Sequence, residues 1–194
     1  LDLYVCGFDC PNRLYINRGN GKFVDRSEKS GLNFHGASIM MAFADYDLDG
    51  DLDGYLVTYR ISPRKTPQGR YYQKDGLPAM EPKLREQIDL INGPDERTFE
   101  VISGQYDRLY RNDGKGTFTD VSAEALGKAA AGNDMGNAVL WWDYNNDRYP
   151  DLYVANDFAG PDRLLQNLGD GTFLDVTFDS LPHTPWFSMG ADSA

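Results

Sequence analysis

The stretch "MMAFADYDLDGDLDGYLVTY", Met40 to Tyr59, is an apolar run, an acidic run and a second apolar run. Five aspartates, Asp45, Asp47, Asp49, Asp51 and Asp53, alternate with other residues over nine positions. Like charges that close repel one another, so the run needs a physical reason to exist. Its spacing supplies one. With Asp45 as position one, Asp47, Asp49 and Asp53 stand at three, five and nine, and Gly50 stands at six. Carboxylates at one, three and five of a tightly curled loop converge on a point. Glycine at six permits the sharp turn, and Asp51 at seven offers its backbone carbonyl. Hard oxygen ligands in that number suit Ca²⁺, which takes 6–8 oxygens. An EF-hand opens in the same way, but it needs Glu at position twelve and a helix on each side. Position twelve here is Leu56, and both flanks read as strands. The expectation is a calcium loop inside a β-hairpin.

The unit recurs. "AVLWWDYNNDRYPDLYVAND", Ala138 to Asp157, repeats strand, acidic loop and strand, with Asp143, Asn145, Asp147 and Asp151 at one, three, five and nine. Arg148 stands where the first loop has glycine, and Asn145 offers a neutral oxygen, so binding is expected to be weaker there. Asp2-Leu3-Tyr4-Val5 matches Asp151 to Val154. That places Asp2 at position nine of a third loop, incomplete in this chain. The runs Ile39 to Phe43 and Ala138 to Trp142 are nearly all apolar, which predicts strands buried on both faces.

A second pattern lies between these units. "NRLYINRGNGKFVDRS" (Asn12 to Ser27), "DRLYRNDGKGTFTDVS" (Asp107 to Ser122) and "DRLLQNLGDGTFLDVT" (Asp162 to Thr177) share R-L-[YL]-x-N-x-G-x-G-x-F-x-D-x-[ST]. Each reads as a strand, a Gly-rich turn and a strand. One full repeat therefore holds four short antiparallel strands. Arg108 to Arg163 gives a period of 55 residues, and Arg13 to Arg108 gives 95, an excess of 40. Four-stranded units at this period predict an all-β fold of β-propeller blades, about three of them, with an insertion over residues 60–103. Three blades are too few to close a ring of 4–8, so the chain is expected to be a fragment of a larger propeller. The insertion is locally basic, with Arg60, Arg64, Lys65, Arg70, Lys74, Lys83 and Arg85. "EPKLREQIDLI", Glu81 to Ile91, predicts a short helix with Pro82 in its first turn. The insertion reads either as a partner-binding projection or as a decoration packed on its own domain.

Composition narrows the function classes. The chain has 194 residues, 41% of them hydrophobic and 13% aromatic, with 20 Gly and 10 Pro. That is a folded chain rich in strands and turns. Its net charge of −11 argues against a nucleic-acid partner, which needs basic surface to displace counterions. No run of 18 apolar residues crosses a membrane. Cys6 and Cys10 in "CGFDC" are open to a disulfide or to two free thiols. No nucleophile elbow and no H-E-x-x-H motif is present. His35 and His183 stand alone in inter-repeat connections, and the G-x-G turns lack the Lys and Ser/Thr of a phosphate loop. No catalytic residue is assigned, and the chain is read as non-enzymatic. Trp141, Trp142 and Trp186 are expected in core strands.

At these loops and turns the chain resembles the FG-GAP or VCBS repeats of integrin-α-type β-propellers. Within that group it is similar to proteins that pair such repeats with an ASPIC/UnbV module, as in cartilage acidic protein. The likeness covers most of the chain outside roughly residues 60–105. It implies an extracellular, cell-surface or periplasmic protein with calcium in the hairpin loops, two sites complete and a third partial. It implies roles in adhesion or in recognition of a protein or glycan partner, the rest of the propeller coming from the parent chain. Propellers of this type also occur in glycan lyases and phospholipases. The alternatives are thus part of an enzyme whose active site lies elsewhere, or a lectin-like glycan binder.

Overall fold

A computed structural model describes residues 1–60, 70–74, 77–81, 88–92, 98–102, 104–127, 134–157 and 160–193. Sixteen strands and three single-turn helices lie among them. The first sheet pairs β1 (Leu3–Val5), β3 (Arg13–Asn17) and β4 (Phe23–Asp25), in the order β1-β3-β4. The second has the order β12-β11-β6-β5-β2, from β2 (Phe8–Pro11), β5 (His35–Ala44), β6 (Asp53–Thr58), β11 (Arg108–Asn112) and β12 (Phe118–Asp120). The third runs β13 (Met135–Trp142), β14 (Asp151–Asp157), β15 (Arg163–Asn167) and β16 (Phe173–Asp175). Every ladder is antiparallel. After the last strand of each sheet comes one helical turn: α1 (Ser27–Ser30), α2 (Ser122–Ala125) or α3 (Thr177–Ser180). Strands in chain order across a sheet, with sheets side by side, make propeller-type blades.

The shared R-L…N…G-x-G…F-x-D-x-[ST] pattern acquires a reason for each of its polar residues. The arginine pairs with the aspartate across the hairpin, in Arg13–Asp25, Arg108–Asp120 and Arg163–Asp175. The same aspartate accepts from the hydroxyl and amide of the Ser or Thr two residues on. That hydroxyl oxygen in turn accepts the backbone amide of the leucine after the arginine, at 2.9 Å in all three blades. Third strand, fourth strand and helical turn are thereby tied together. The ion pairs are partly exposed and add little by themselves.

Alternate residues of a strand point to opposite blade faces. Tyr55, Val57 and Leu109 meet Val139, Leu152, Val154, Leu165 and Phe173 of the third sheet. Their neighbours Leu56 and Tyr110 meet Leu14 of the first and Leu32 of the connection from α1 to β5. The middle strands are therefore buried on both faces. The inner strand β5 is not, contrary to the continuous apolar run of Ile39 to Phe43, because β13 packs on it from one side only. Ile39, Met40 and Phe43 are each 38% exposed. Of the three tryptophans only Trp141 sits in the core seam, stacked on Tyr46 with centroids 6.4 Å apart, its indole N–H donating to the Ala42 carbonyl. Trp142 and Trp186 are exposed. His35 opens β5 rather than lying in a connection.

The insertion carries two hairpins, β7 (Tyr71–Lys74) with β8 (Leu77–Met80) and β9 (Ile88–Asn92) with β10 (Thr98–Ile102). The helix expected over Glu81 to Ile91 is not formed at its C-terminal end, since Ile88–Asn92 is a strand. Residues 82–87 of that expectation lie outside those described. The β-branched residues of Ile88–Asn92 and of its partner Thr98–Ile102 favour extended pairing over a helical face. Also unforeseen was β2, a strand between β1 and β3 that leaves its own sheet and pairs with β5 of the next. Cys6 and Cys10 flank its start and carry free thiols.

The residue before each Arg-Leu is a further clamp. Asp107 accepts from the Thr58 amide at 2.7 Å and from the Tyr55 hydroxyl at 3.1 Å. Asp162 does the same for Asn156 and Tyr153, and Asn12 serves Gly7 and Tyr4 with an amide. Burial pushes the Asp107 carboxyl up to about 7. The folded state thus holds this proton more tightly than the unfolded chain does. The stability it contributes is complete below about pH 4 and is lost as pH rises to about 7. Because Asn12 fills the same place, Asp107→Asn is expected to fold and to flatten the fall in melting temperature between pH 4 and pH 7. Scanning calorimetry of both proteins across that range checks this.

Candidate metal centre

The first acidic loop joins β5 to β6, and its shape is set by its own carboxylate. Asp45 accepts the amides of Asp49 and Gly50, both at 3.0 Å, and Asp49 accepts that of Asp51 at 3.0 Å. Leu48 and Gly50 take positive φ, 60° and 96°, which curls the loop within five residues. Carboxylate oxygens of Asp45, Asp47 and Asp49 all lie within 4.8 Å of one another. Among the described residues this is the one such cluster of three acids. Asp47 Oδ1 is buried and has no hydrogen-bond partner. Burial, then the nearby Asp49, raises the Asp47 pKa. A buried anion oxygen without a donor, facing two more anions, is a costly arrangement that a divalent cation would reverse.

Asp53, the position-nine residue, is placed otherwise. It is wholly buried and accepts the amide of Tyr46 at 3.2 Å and that of Asn112 at 2.8 Å. Its carboxylate ties the start of the loop to the third strand of the blade. Burial pushes it up to about 6. Asp51 gives its amide to Asp49, and its side chain abuts Gly114, where a Cβ would meet its carboxylate at 2.3 Å. Gly114 also has φ 71°, so the Gly-rich turn is built both to curl and to admit the acidic loop beside it.

The second loop, between β13 and β14, is a near copy. Asp143 accepts the amides of Asp147 and Arg148 at 3.0 and 2.9 Å, and Asp147 accepts that of Tyr149 at 2.9 Å. Arg148 adopts φ 81° where the first loop has glycine. An L-residue there costs about 1–2 kcal/mol, and the loop bears it. Asn145 donates its amide to Asp147 at 2.7 Å, replacing a repulsive carboxylate pair with a hydrogen bond. Asp151 is wholly buried and accepts the amides of Tyr144 and Asn167, repeating the Asp53 clamp, and burial raises its pKa. Asp2 keeps half of the device, accepting the Asn17 amide at 2.8 Å.

The structure therefore divides the expected ligands into two sets. Asp45, Asp47 and Asp49 converge, while Asp143, Asn145 and Asp147 share the hydrogen bonds of the second curl. Asp2, Asp53 and Asp151 are the clamps. The asparagine of each Gly-rich unit, not singled out from the sequence, completes the device by donating its side-chain amide to the carbonyl before the clamp: Asn17 to Leu1, Asn112 to Leu52 and Asn167 to Pro150, each at 3.1 Å. Its invariance across all three copies was the available signal.

A family model described as an FG-GAP-like repeat matches residues 1–56, 98–154 and 143–194. No curated protein matches the chain. The family match is to the repeat itself, and it does not show the narrower link to ASPIC/UnbV-associated proteins.

The two sets respond differently to mutation. Asp53→Ala leaves two buried amides without an acceptor and is expected to cost about 2–4 kcal/mol in metal-free buffer. Asp49→Ala, at an exposed position that relieves repulsion, is expected to change stability by less than about 0.5 kcal/mol there. Urea unfolding of both variants in chelator distinguishes them.

Proposed function

The chain belongs to the FG-GAP-like repeat family, and from that premise we propose that it is the calcium-stabilised, non-enzymatic propeller region of a secreted or surface-exposed protein. The observation that carries this reading is the first loop: three converging carboxylates, one with a buried and unpartnered oxygen. Asp45, Asp47 and Asp49, with the Asp51 carbonyl, are the residues to hold the ion. Asp143, Asn145 and Asp147 are the weaker set. Bound calcium supplies charge neutralisation. The chain does the rest beforehand, since Asp45 and Asp143 already hold their loops curled and Asp53 and Asp151 fix them to the blade. Loops of extracellular modules bind calcium at roughly 10⁻⁴–10⁻³ M, so they fill outside the cell and stay empty at cytosolic levels. No helix among the described residues is long and apolar enough to cross a membrane.

Recognition in this reading belongs to the other end of the blades. Acidic loops and Gly-rich turns lie together, as the contact of Asp51 with Gly114 and of Tyr149 with Gly169 requires. The connection from the second strand to the third leaves the opposite end, and in the second sheet it carries the 60–103 insertion. An insertion there can meet a protein or glycan partner without disturbing the metal loops.

The test is thermal unfolding in chelator, in millimolar Ca²⁺ and in equimolar Mg²⁺, beside the double variant Asp47→Ala/Asp49→Ala. At ten times Kd each site adds about 1.4 kcal/mol, roughly 3–6 °C for a domain of this size. Expected is a rise of at least that order with Ca²⁺, little with Mg²⁺, and less than half the rise in the variant, which keeps only the weaker loop. A folded chain with no calcium response sinks the reading.

A further inference from the structure

The insertion stands on a fixed root, where its two ends meet at Tyr59 and Gln105. The Gln105 amide donates to the Tyr59 carbonyl at 2.7 Å, and the Thr58 hydroxyl donates to the Gln105 carbonyl at 2.7 Å. The Gln105 side-chain oxygen accepts the Ala37 amide of β5 at 2.6 Å, and the Tyr59 hydroxyl donates to Asp157 of the third sheet at 3.1 Å. The root is thus tied to two blades. The family model matches residues 1–56 and resumes at 98, so the side chains between are free of the demands of the repeat.

Charge separates this segment from the blades. Residues 60–74 hold Arg60, Arg64, Lys65, Arg70 and Lys74 and no Asp or Glu, in a chain of net charge −11. In the blades the arginine of each repeat is paired with an aspartate. The hairpin of β7 and β8 then sorts side chains by face. The Glu81 amide donates to the Arg70 carbonyl at 3.1 Å, so the ladder that pairs Tyr71 with Met80 reaches one residue further. Alternate residues share a face, which puts Arg70, Tyr72 and Lys74 in one row and Tyr71 and Gln73 on the other side. All five are exposed. Opposite Tyr72 is Ala79, buried and too small to cover the ring, and Tyr72 is 48% exposed. Glu81, half-buried, stands opposite Arg70. A rise of about 3.3 Å per residue sets Arg70 and Lys74 about 13 Å apart along the strand, with the aromatic ring midway.

We propose that this row is a docking site for a linear acidic polysaccharide, one whose sugar rings bear carboxylate or sulfate groups at regular intervals. The inference rests on the reading that recognition belongs to the end of the blades away from the acidic loops. Tyr72 stacks on the apolar face of a sugar ring, and Arg70 and Lys74 take anionic groups on either side of it. Arginine offers a planar fork to a carboxylate or sulfate, and lysine a point charge. Charge, ring and charge along a straight strand match a polymer that alternates ring and charge. A polyanion without rings meets only the two cations. A lipid surface is met by an apolar face, which this row is not. The negative charge of the blades repels the polymer and confines it to the insertion.

The experiment uses the whole 194-residue chain and two fluorescent probes of matched length, an oligogalacturonate and a dextran sulfate fragment. Anisotropy is read in chelator and then in millimolar Ca²⁺. One control is the methyl-esterified oligogalacturonate, which keeps the rings and loses the charge. The other is polyglutamate, which keeps the charge and has no rings. The variants Arg70→Ala/Lys74→Ala and Tyr72→Ala alter only exposed positions, and an unchanged melting temperature certifies their fold. Expected is saturable binding of an acidic probe in chelator, weakened at least about tenfold by Arg70→Ala/Lys74→Ala and at least about threefold by Tyr72→Ala. Binding of oligogalacturonate alone assigns the carboxylate, and of dextran sulfate alone the sulfate. The proposal is overturned by any of five results: neither acidic probe saturates; the methyl ester or polyglutamate binds as tightly; either variant binds like the parent chain; binding needs Ca²⁺ and is lost in Asp47→Ala/Asp49→Ala, which puts the polymer on the metal loops; or phosphatidylserine vesicles bind more tightly than both probes. A melting rise with Ca²⁺ beside no polymer binding sinks this proposal and leaves the calcium reading standing. Polymer binding in chelator without a calcium response does the reverse.

Discussion

The buried carboxylate at position nine of the acidic loop is the joint on which each blade depends. Asp53 and Asp151 each accept one amide from the start of the loop and one from the end of the third strand. Hydrogen bonds to a charged acceptor contribute about 1.5–3 kcal/mol each, and here two of them oppose, without cancelling, the burial that raises the acid's pKa. The asparagine whose amide is bound then receives the next turn. Gly19, Gly114 and Gly169 donate to Asn17, Asn112 and Asn167 at 2.8, 3.2 and 3.0 Å. Loop, third strand and Gly-rich turn are thus set in sequence by one acid.

Much of this was legible in the primary structure, because repetition separates what the fold needs from what one blade happens to contain. The strand–loop–strand and strand–turn–strand units, their order and the two acidic loops were all readable from aligned copies. The position-nine aspartates were read as ligands, and spacing alone could not add that their oxygens also accept backbone amides. Only the depth of Asp53 and Asp151 in the blade reveals that backbone amides claim their oxygens. The clamp formed by Asn12, Asp107 and Asp162 was missed because it mixes an amide with acids. The strand β2 was missed because "FDCP" is short, contains proline and pairs with residues far along the chain. At the C-terminal end of the helix expected over Glu81 to Ile91, local periodicity yields to the pairing of Ile88–Asn92 with Thr98–Ile102.

Comparison of the two loops shows what holds their shape. Glycine at position six is comfortable at positive φ, yet Arg148 occupies the same conformation and its amide still reaches Asp143 at 2.9 Å. The carboxylate at position one, with amides arriving from positions five and six, therefore outweighs the backbone preference of the residue at six. Asn145 changes the electrostatics and leaves the path of the chain alone. The two loops hold similar curls with different charge.

The pairing of β2 with β5 gives the first two blades a mechanical character that the second and third do not share through any described strand. Side-by-side blades held by apolar packing can slide or peel apart one contact at a time. A strand that starts in one blade and is laced into the next loads its hydrogen bonds in parallel when the blades are pulled along it. The register shift between Phe8 and Cys10, where Asp9 takes φ 54°, bends the strand so that it can make this crossing. Pulled along that strand, the first two blades would then bear force as one body, whereas the second and third are joined by apolar packing and side-chain hydrogen bonds.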